Sequence, residues 1–150
     1  MEARMYQQVI LGSVAKANTL VVLPTGLGKT NIAIMLAAHR LTKFPDKKIV
    51  VAFHPHLYSR TRDLMEDFAR AFDGADTVIL APIYAARENP IDGITSDVLA
   101  QKINASKPNL AKAVQTLDAV YDELTSVGPD SLIITMGAGD IYKVADKLVV

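Results

Sequence analysis

Short runs of β-branched and apolar residues alternate along this chain with longer stretches of helical periodicity, and few architectures accommodate that alternation. It points to a mainly parallel sheet with helices on both faces, a three-layer, doubly wound α/β fold of Rossmann type. Ala3 to Ala17 suits a helix with Tyr6, Val9, Ile10 and Val14 on one face, and Thr19 to Leu23 follows as a buried strand. Thr25 to Gly28 turns the chain into a helix from Lys29 to Thr42, which Phe44-Pro45-Asp46 ends. Lys48 to Phe53 is the second strand. Ser59 to Phe72 reads as one helix, with Leu64, Phe68 and Phe72 stacked at intervals of four, closed by Asp73-Gly74 at a position that favours positive φ. Thr77 to Leu80 is the third strand, and Ala81 to Thr95 a surface loop. A short helix from Ser96 to Ile103 has Thr95 or Ser96 as its N-cap. Leu110 to Leu124 reads as a further helix, Ser131 to Met136 as the last strong strand, and Ile141 to Leu148 as the final helix after the turn Gly137-Ala138-Gly139-Asp140.

At 150 residues, half of them hydrophobic, the chain is expected to form a single domain with a continuous core. Lys plus Arg and Asp plus Glu balance at 16 each, so no overall field recruits nucleic acid or an anionic membrane. The absence of cysteine excludes disulfides and thiolate metal sites. Apolar runs stop well short of the roughly 20 residues a membrane span needs, and the amino terminus does not resemble a signal peptide, so a soluble, cytoplasmic protein is expected. Oligomeric state is not readable.

Leu23-Pro24-Thr25-Gly26-Leu27-Gly28-Lys29-Thr30 follows a buried strand and opens a helix. Gly28-Lys29-Thr30 completes the end of the GxxxxGK(S/T) pattern, although Leu23 stands where its first glycine belongs. Here Gly26 and Gly28 let the backbone amides of Thr25 to Thr30, Leu27 included, converge on an anion. Lys29 offers a cation to the outer phosphates and Thr30 a hydroxyl to Mg²⁺. Pro-Thr-Gly-x-Gly-Lys-Thr resembles motif I of superfamily-two helicases. Arg4-Met5-Tyr6-Gln7 is similar to the motif in which a helicase glutamine contacts adenine, and the first 50 residues look like archaeal helicase-nucleases of the Hef and Mph1 type. The resemblance makes Gln7 a candidate adenine contact; the alternative is an exposed polar residue on the first helix. An active NTPase also needs a carboxylate pair after another strand. Asp122-Glu123 lies in a helical pattern and reads as a solvated face.

From Val50 onward the resemblance changes. Val50-Val51-Ala52-Phe53-His54-Pro55-His56, followed by Tyr58-Ser59-Arg60-Thr61-Arg62-Asp63-Leu64, is similar to the carboxyl-terminal domain of Mur ligases, as are Pro82-Ile83-Tyr84-Ala85-Ala86-Arg87-Glu88 and Met136-Gly137-Ala138-Gly139-Asp140-Ile141. In that family this domain closes over a separate central ATPase domain and helps position muramoyl and amino-acid substrates. The resemblance implies that the His54 to Arg62 loop and the Gly137 to Asp140 turn face the cleft, where the carboxyl ends of the strands also place ligands. Gly137 and Gly139 are therefore candidate binding positions beside the phosphate loop. Family members often carry Arg at the position of Leu57. His54 and His56 read as hydrogen-bonded loop histidines before metal ligands, and His39 as a helix-surface or interface histidine.

The two resemblances meet within Lys48 to Ala52. They lead to the expectation of an engineered or recombined chimera that binds ATP, ADP or phosphate with Mg²⁺ through Gly26 to Thr30, without a complete catalytic site. The alternatives are a fragment of an ATP-dependent ligase or helicase, and a ligand-free scaffold. The expected sheet places 48 to 53 and 131 to 136 on either side of 19 to 23, with 76 to 80 outside the former.

Overall fold

The computed structural model describes residues 5–16, 32, 35–36, 38–39, 42–43 and 45–149. By its internal contacts the chain separates into two units, Met1–Lys47 and Lys48–Val150. The expected strand at 19 to 23, the phosphate loop at 25 to 30 and most of the helix from 29 to 42 lie outside the described residues.

In the first unit, helix α1 (Met5–Val14) buries Gln7 and Val14. The expected face is corrected: Val9 is 67% exposed, and Gln7, at 3%, is not the exposed polar residue of the alternative reading. Positions 7 and 14 lie two turns apart, so they share a stripe that Val9 does not.

The second unit is built on β1 (Lys48–His54), β2 (Thr77–Leu80), β3 (Ala111–Ala113) and β4 (Ser131–Gly137), all parallel in the order β3-β2-β1-β4. Between the strands lie α2 (Tyr58–Asp63), α3 (Met65–Ala71), α4 (Ser96–Ser106) and α5 (Leu117–Thr125), and α6 (Ile141–Leu148) follows β4. β1 is buried from Ile49 to His54, as a strand covered on both faces must be. Its residues alternate between two cores. Val50 and Ala52, with Ile79 and Ala81 of the neighbouring chain segment, pack against Val120 and Leu124 of α5 and Ile141 and Val144 of α6. Phe53 faces the other way, with its ring 5.3 Å from that of Phe68 and 5.4 Å from that of Phe72. α3 packs on α4 and α5 on α6, completing the three expected layers. Among the described residues no helix is long and apolar enough to cross a membrane.

Three expectations are corrected. β1 and β4 pair directly from Lys48↔Ser131 to His54↔Gly137, so no strand intervenes between them, although β2 does lie beside β1 as expected. The helix expected from 59 to 72 divides at Leu64, whose φ of −109° and ψ of 17° leave the α region, and Gly74 does not take a positive φ. The helix expected from 110 to 124 starts only at Leu117, because Ala111–Ala113 is a strand. Pairing with β2 overrides the local helical pattern there. Val78 N–H donates to the Leu110 carbonyl at 2.8 Å, and Val114 N–H to the Leu80 carbonyl at 2.9 Å. On the outer side, Asn104 donates to the Ala111 carbonyl and accepts from its N–H, each at 2.8 Å, as a neighbouring strand would. Capping reasoning fared better. Thr95 accepts from Val98 N–H at 3.1 Å, and Ser96 instead donates to the buried Ala81 carbonyl at 2.6 Å.

Candidate functional site

The chain leaves β1 for β2 and β3 on one side, then returns to place β4 on the other, so the direction of winding reverses between β1 and β4. Open α/β sheets bind ligands in the crevice that this reversal opens at the carboxyl ends of the strands. Here those ends are His54 and Gly137, which pair with one another.

Gly137 has φ of 126°, and a Cβ there would lie 2.1 Å from the His54 carbonyl oxygen. Only glycine lets the two backbones approach so closely. The chain then turns, with Ala138 N–H donating to the His54 carbonyl at 2.9 Å. Gly139 has φ of 57°, and a Cβ there would lie 2.8 Å from Tyr84 Cδ2 and 3.1 Å from His54 Cε1. Both glycines assigned to the cleft are thus required by its shape.

Tyr84 comes from the loop after β2, fixed by two backbone bonds: its N–H donates to the Pro55 carbonyl at 2.8 Å, and its carbonyl accepts from Leu57 N–H at 2.9 Å. Its ring meets His54 edge-on at 5.6 Å between centroids and stacks on His56 at 5.9 Å and 25°. His54, expected as a hydrogen-bonded loop histidine, is only 5% exposed, and its Nδ1 has no hydrogen-bond partner. Burial holds its imidazole below the ordinary pKa, with His56 acting in the same direction; a backbone hydrogen bond with Ala138 and the Asp140 carboxylate oppose this. In its neutral form the ring can offer the unpaired Nδ1 to a hydrogen bond.

The next wall is α2. Its N-cap position, Leu57, has φ of 65° and no capping side chain of its own. Glu88 supplies the cap from another loop: Ser59 N–H and hydroxyl donate to its two carboxylate oxygens at 3.0 and 2.5 Å. These bonds hold the Glu88 carboxyl below its ordinary pKa, the hydroxyl contributing most. A carboxylate therefore already occupies the N-terminus of α2, and a phosphate would meet repulsion there. Across the crevice, Asp140 accepts from Lys143 Nζ at 2.9 Å, which raises the lysine pKa.

Of the residues singled out in the sequence, the structure brings together His54, His56, Gly137, Gly139 and Asp140. Gln7 is in the other unit, and Thr25, Gly26, Leu27, Gly28, Lys29 and Thr30 lie outside the described residues. Asp122 and Glu123 sit on helix α5, where Glu123 pairs with Lys112. Among the described residues no group of three or more His, Cys, Asp or Glu could hold a metal ion. Sequence reasoning missed the Glu88 cap and the roles of Tyr84 and Ser59. Spacing carries no sign of a contact 29 positions apart; the family-like run from Pro82 to Glu88 was the available signal.

The model of the family described as "Mur ligase, glutamate ligase domain" matches residues 13–139. UDP-N-acetylmuramate–L-alanine ligase of Geotalea uraniireducens is 45% identical over 105 residues, covering 69% of this chain and 23% of that protein. The ligase of the same name from Cytophaga hutchinsonii is 46% identical over 112 residues, covering 75% and 23%. The chain thus spans about a quarter of the length of these relatives. The crystal structure of UDP-N-acetylmuramate-alanine ligase from Thermotoga maritima superposes with a TM-score of 0.56 at 24% identity, over 79% of this chain and 23% of that one, a likeness of fold.

The family match runs straight through the supposed seam at Lys48 to Ala52 and covers most of the segment read as helicase-like. The chimeric, engineered reading is therefore corrected, and the helicase resemblance of residues 1 to 50 gains no support. A glycine-rich turn between strand and helix recurs in many α/β folds, so a seven-residue match did not identify a parent. With one family model extending from residue 13 to residue 139, over a parallel sheet of the matching fold, the chain belongs to the Mur ligase family through its glutamate ligase, or carboxyl-terminal, domain.

Proposed function

We propose that this chain acts as the substrate-closing domain of a cytoplasmic, ATP-dependent ligase that joins L-alanine to UDP-N-acetylmuramate. The observation that carries the reading is the crevice between β1 and β4, where a buried imidazole with its Nδ1 unpaired, two sterically required glycines and a fixed tyrosine converge in a domain of this family. Domain closure of this kind excludes water and brings reacting groups into line.

ATP supplies the phosphoryl group that activates the muramoyl carboxylate for condensation with an amine. The second unit offers little phosphate cradle of its own, because Glu88 fills the N-terminus of α2 and Lys143 is paired with Asp140. The residues of this chain would instead shape and dry the cleft. The turn Gly137 to Asp140 abuts Tyr84 and His54, and neutral His54 can accept a hydrogen bond without bringing charge. Gly26 to Thr30 enters the reading as the chain's own candidate contact to nucleotide phosphate, with Thr30 toward Mg²⁺. Lys29→Ala tests that part alone.

The test is to exchange this chain for the corresponding residues of the Geotalea ligase and measure L-alanine-dependent phosphate release with UDP-N-acetylmuramate. The expected result is turnover that Gly139→Ala lowers by at least about tenfold, since displacement of Tyr84 and His54 by even 1 Å misplaces the cleft. A folded hybrid without L-alanine-dependent release would overturn the proposal.

A further inference from the structure

His54 Nδ1 is the one buried side-chain polar atom without a hydrogen-bond partner among the described residues. Protonation makes both nitrogens of an imidazole donors, so a charged His54 would hold at Nδ1 a buried N–H with nothing to receive it. Native folds rarely keep such a donor, and a neighbour must then move. Among the described residues, the titratable groups that face the ring are His56 from the same loop, Tyr84 from the loop after β2 and Asp140 from the turn after β4. Burial disfavours the charged ring, and His56 adds to this; Asp140 opposes it, but its carboxylate is paired with Lys143 Nζ at 2.9 Å. Which neighbour yields follows from how each is held. The main chain of His54 is fixed by pairing with Gly137 and by the Ala138 N–H on its carbonyl, and Gly139 presents only backbone. Tyr84 differs. Its main chain is tied to Pro55 and Leu57, yet its side chain stays 42% exposed, so rotating the ring uncovers His54 without breaking a backbone bond.

We infer that the Tyr84 ring is a proton-operated latch on the crevice between β1 and β4, shut over neutral His54 and swung into solvent when His54 takes up a proton, so that water reaches Nδ1. The shut corner holds that proton less well than the open one, and acidification therefore shifts the population towards the open form. His56, stacked on the Tyr84 ring with centroids 5.9 Å apart, loses that contact as the latch opens. As a control on ligation the latch rests on the ligase reading. Its motion does not, because it is observed in the chain alone, without nucleotide.

The experiment follows the His54 ring protons and the nuclear Overhauser contact between the Tyr84 ring and the Gly139 α-protons by NMR, from about pH 8 to about pH 5, across the ordinary imidazole range. The contact should be lost in step with the His54 titration, while the Tyr84 amide stays protected from exchange because its bond to the Pro55 carbonyl persists. In His54→Gln the contact should no longer depend on pH, and in His56→Gln it should still be lost. Persistence of the contact in protonated His54 overturns the latch, as does its strengthening, which would mean that the Tyr84 face closes on the charged ring as a cation–π partner. The same pH dependence in His54→Gln, or a His54 ring that stays neutral until the sheet unfolds, overturns it as well. The wild-type titration decides the matter even where a variant fails to fold, and none of these outcomes depends on whether a hybrid enzyme ligates.

Discussion

Replacing Gly137 with alanine tests whether the crevice is set by backbone approach. The added methyl would lie 2.1 Å from the His54 carbonyl oxygen and 2.8 Å from its carbonyl carbon and nitrogen, well inside ordinary contact. The φ of 126° adds strain, since a residue with a side chain pays roughly 1–3 kcal/mol in such regions. Neither neighbour is a flexible side chain, so the end of β4 must move away from β1, with loss of the Ala138 N–H bond to the His54 carbonyl, roughly 0.5–1.5 kcal/mol. The combined destabilisation is about 2–4 kcal/mol. Urea unfolding followed by far-UV circular dichroism measures it, with Gly128→Ala as control because nothing lies within 4 Å of a Cβ there and its φ is ordinary. The control should stay within about 0.5 kcal/mol. A Gly137→Ala protein as stable as that control would refute the argument that this glycine is sterically required.

Asn104→Ala should cost about 2 kcal/mol by urea unfolding, because it strands both backbone groups of buried Ala111; a loss under about 0.5 kcal/mol would show that water replaces the amide freely. Glu88→Gln should speed hydrogen exchange at the Ser59 amide, and unchanged protection there would remove Glu88 as the cap of α2. In wild type the lowered Glu88 pKa means that this contribution is present above the unfolded carboxyl pKa and disappears as pH falls through the folded value. For His54 the unfolded state takes up the proton first, so stability should decline as pH drops below about 6.5 and level off once the folded ring is protonated. His54→Gln should flatten that part of the pH–stability curve; an identical slope in the variant would assign the effect elsewhere.

The sequence made the sheet legible where burial on both faces produces an unbroken apolar run. Ile49 to Phe53 and Thr77 to Leu80 are such runs, and their limits fall within a residue of the observed strands. Helix α6 was equally clear, because a turn with two glycines precedes a strongly two-faced segment. Ala111–Ala113 was not. Two alanines flanking one lysine are too short a run to show a period, and their conformation comes from β2 on one side and Asn104 on the other. Leu64 failed for a related reason: spacing of apolar residues at four is compatible with two helices whose axes break between turns, and the local sequence contains neither proline nor glycine to mark the break.

The site divides along the same line. Gly137 and Gly139 were readable as a tight turn between strand and helix, and His54 and His56 as residues at a strand end, since these properties belong to neighbours in the chain. What makes the cluster chemically distinctive is supplied from farther away. Tyr84 is placed by backbone bonds to Pro55 and Leu57, and Glu88 reaches Ser59 over an interval of 29 residues. The strained φ of Leu57, at 65°, lies between these two attachments, with its carbonyl accepting from both the N–H and the hydroxyl of buried Thr61, at 3.0 and 2.8 Å. A bulky residue rarely holds such a conformation unless its surroundings over-determine it. The loop from His54 to Ser59 is therefore fixed at Pro55, Leu57 and Ser59 by partners in the loop after β2. That rigidity holds the buried imidazole in place without a hydrogen bond to Nδ1, leaving one directional polar group open inside an otherwise satisfied crevice.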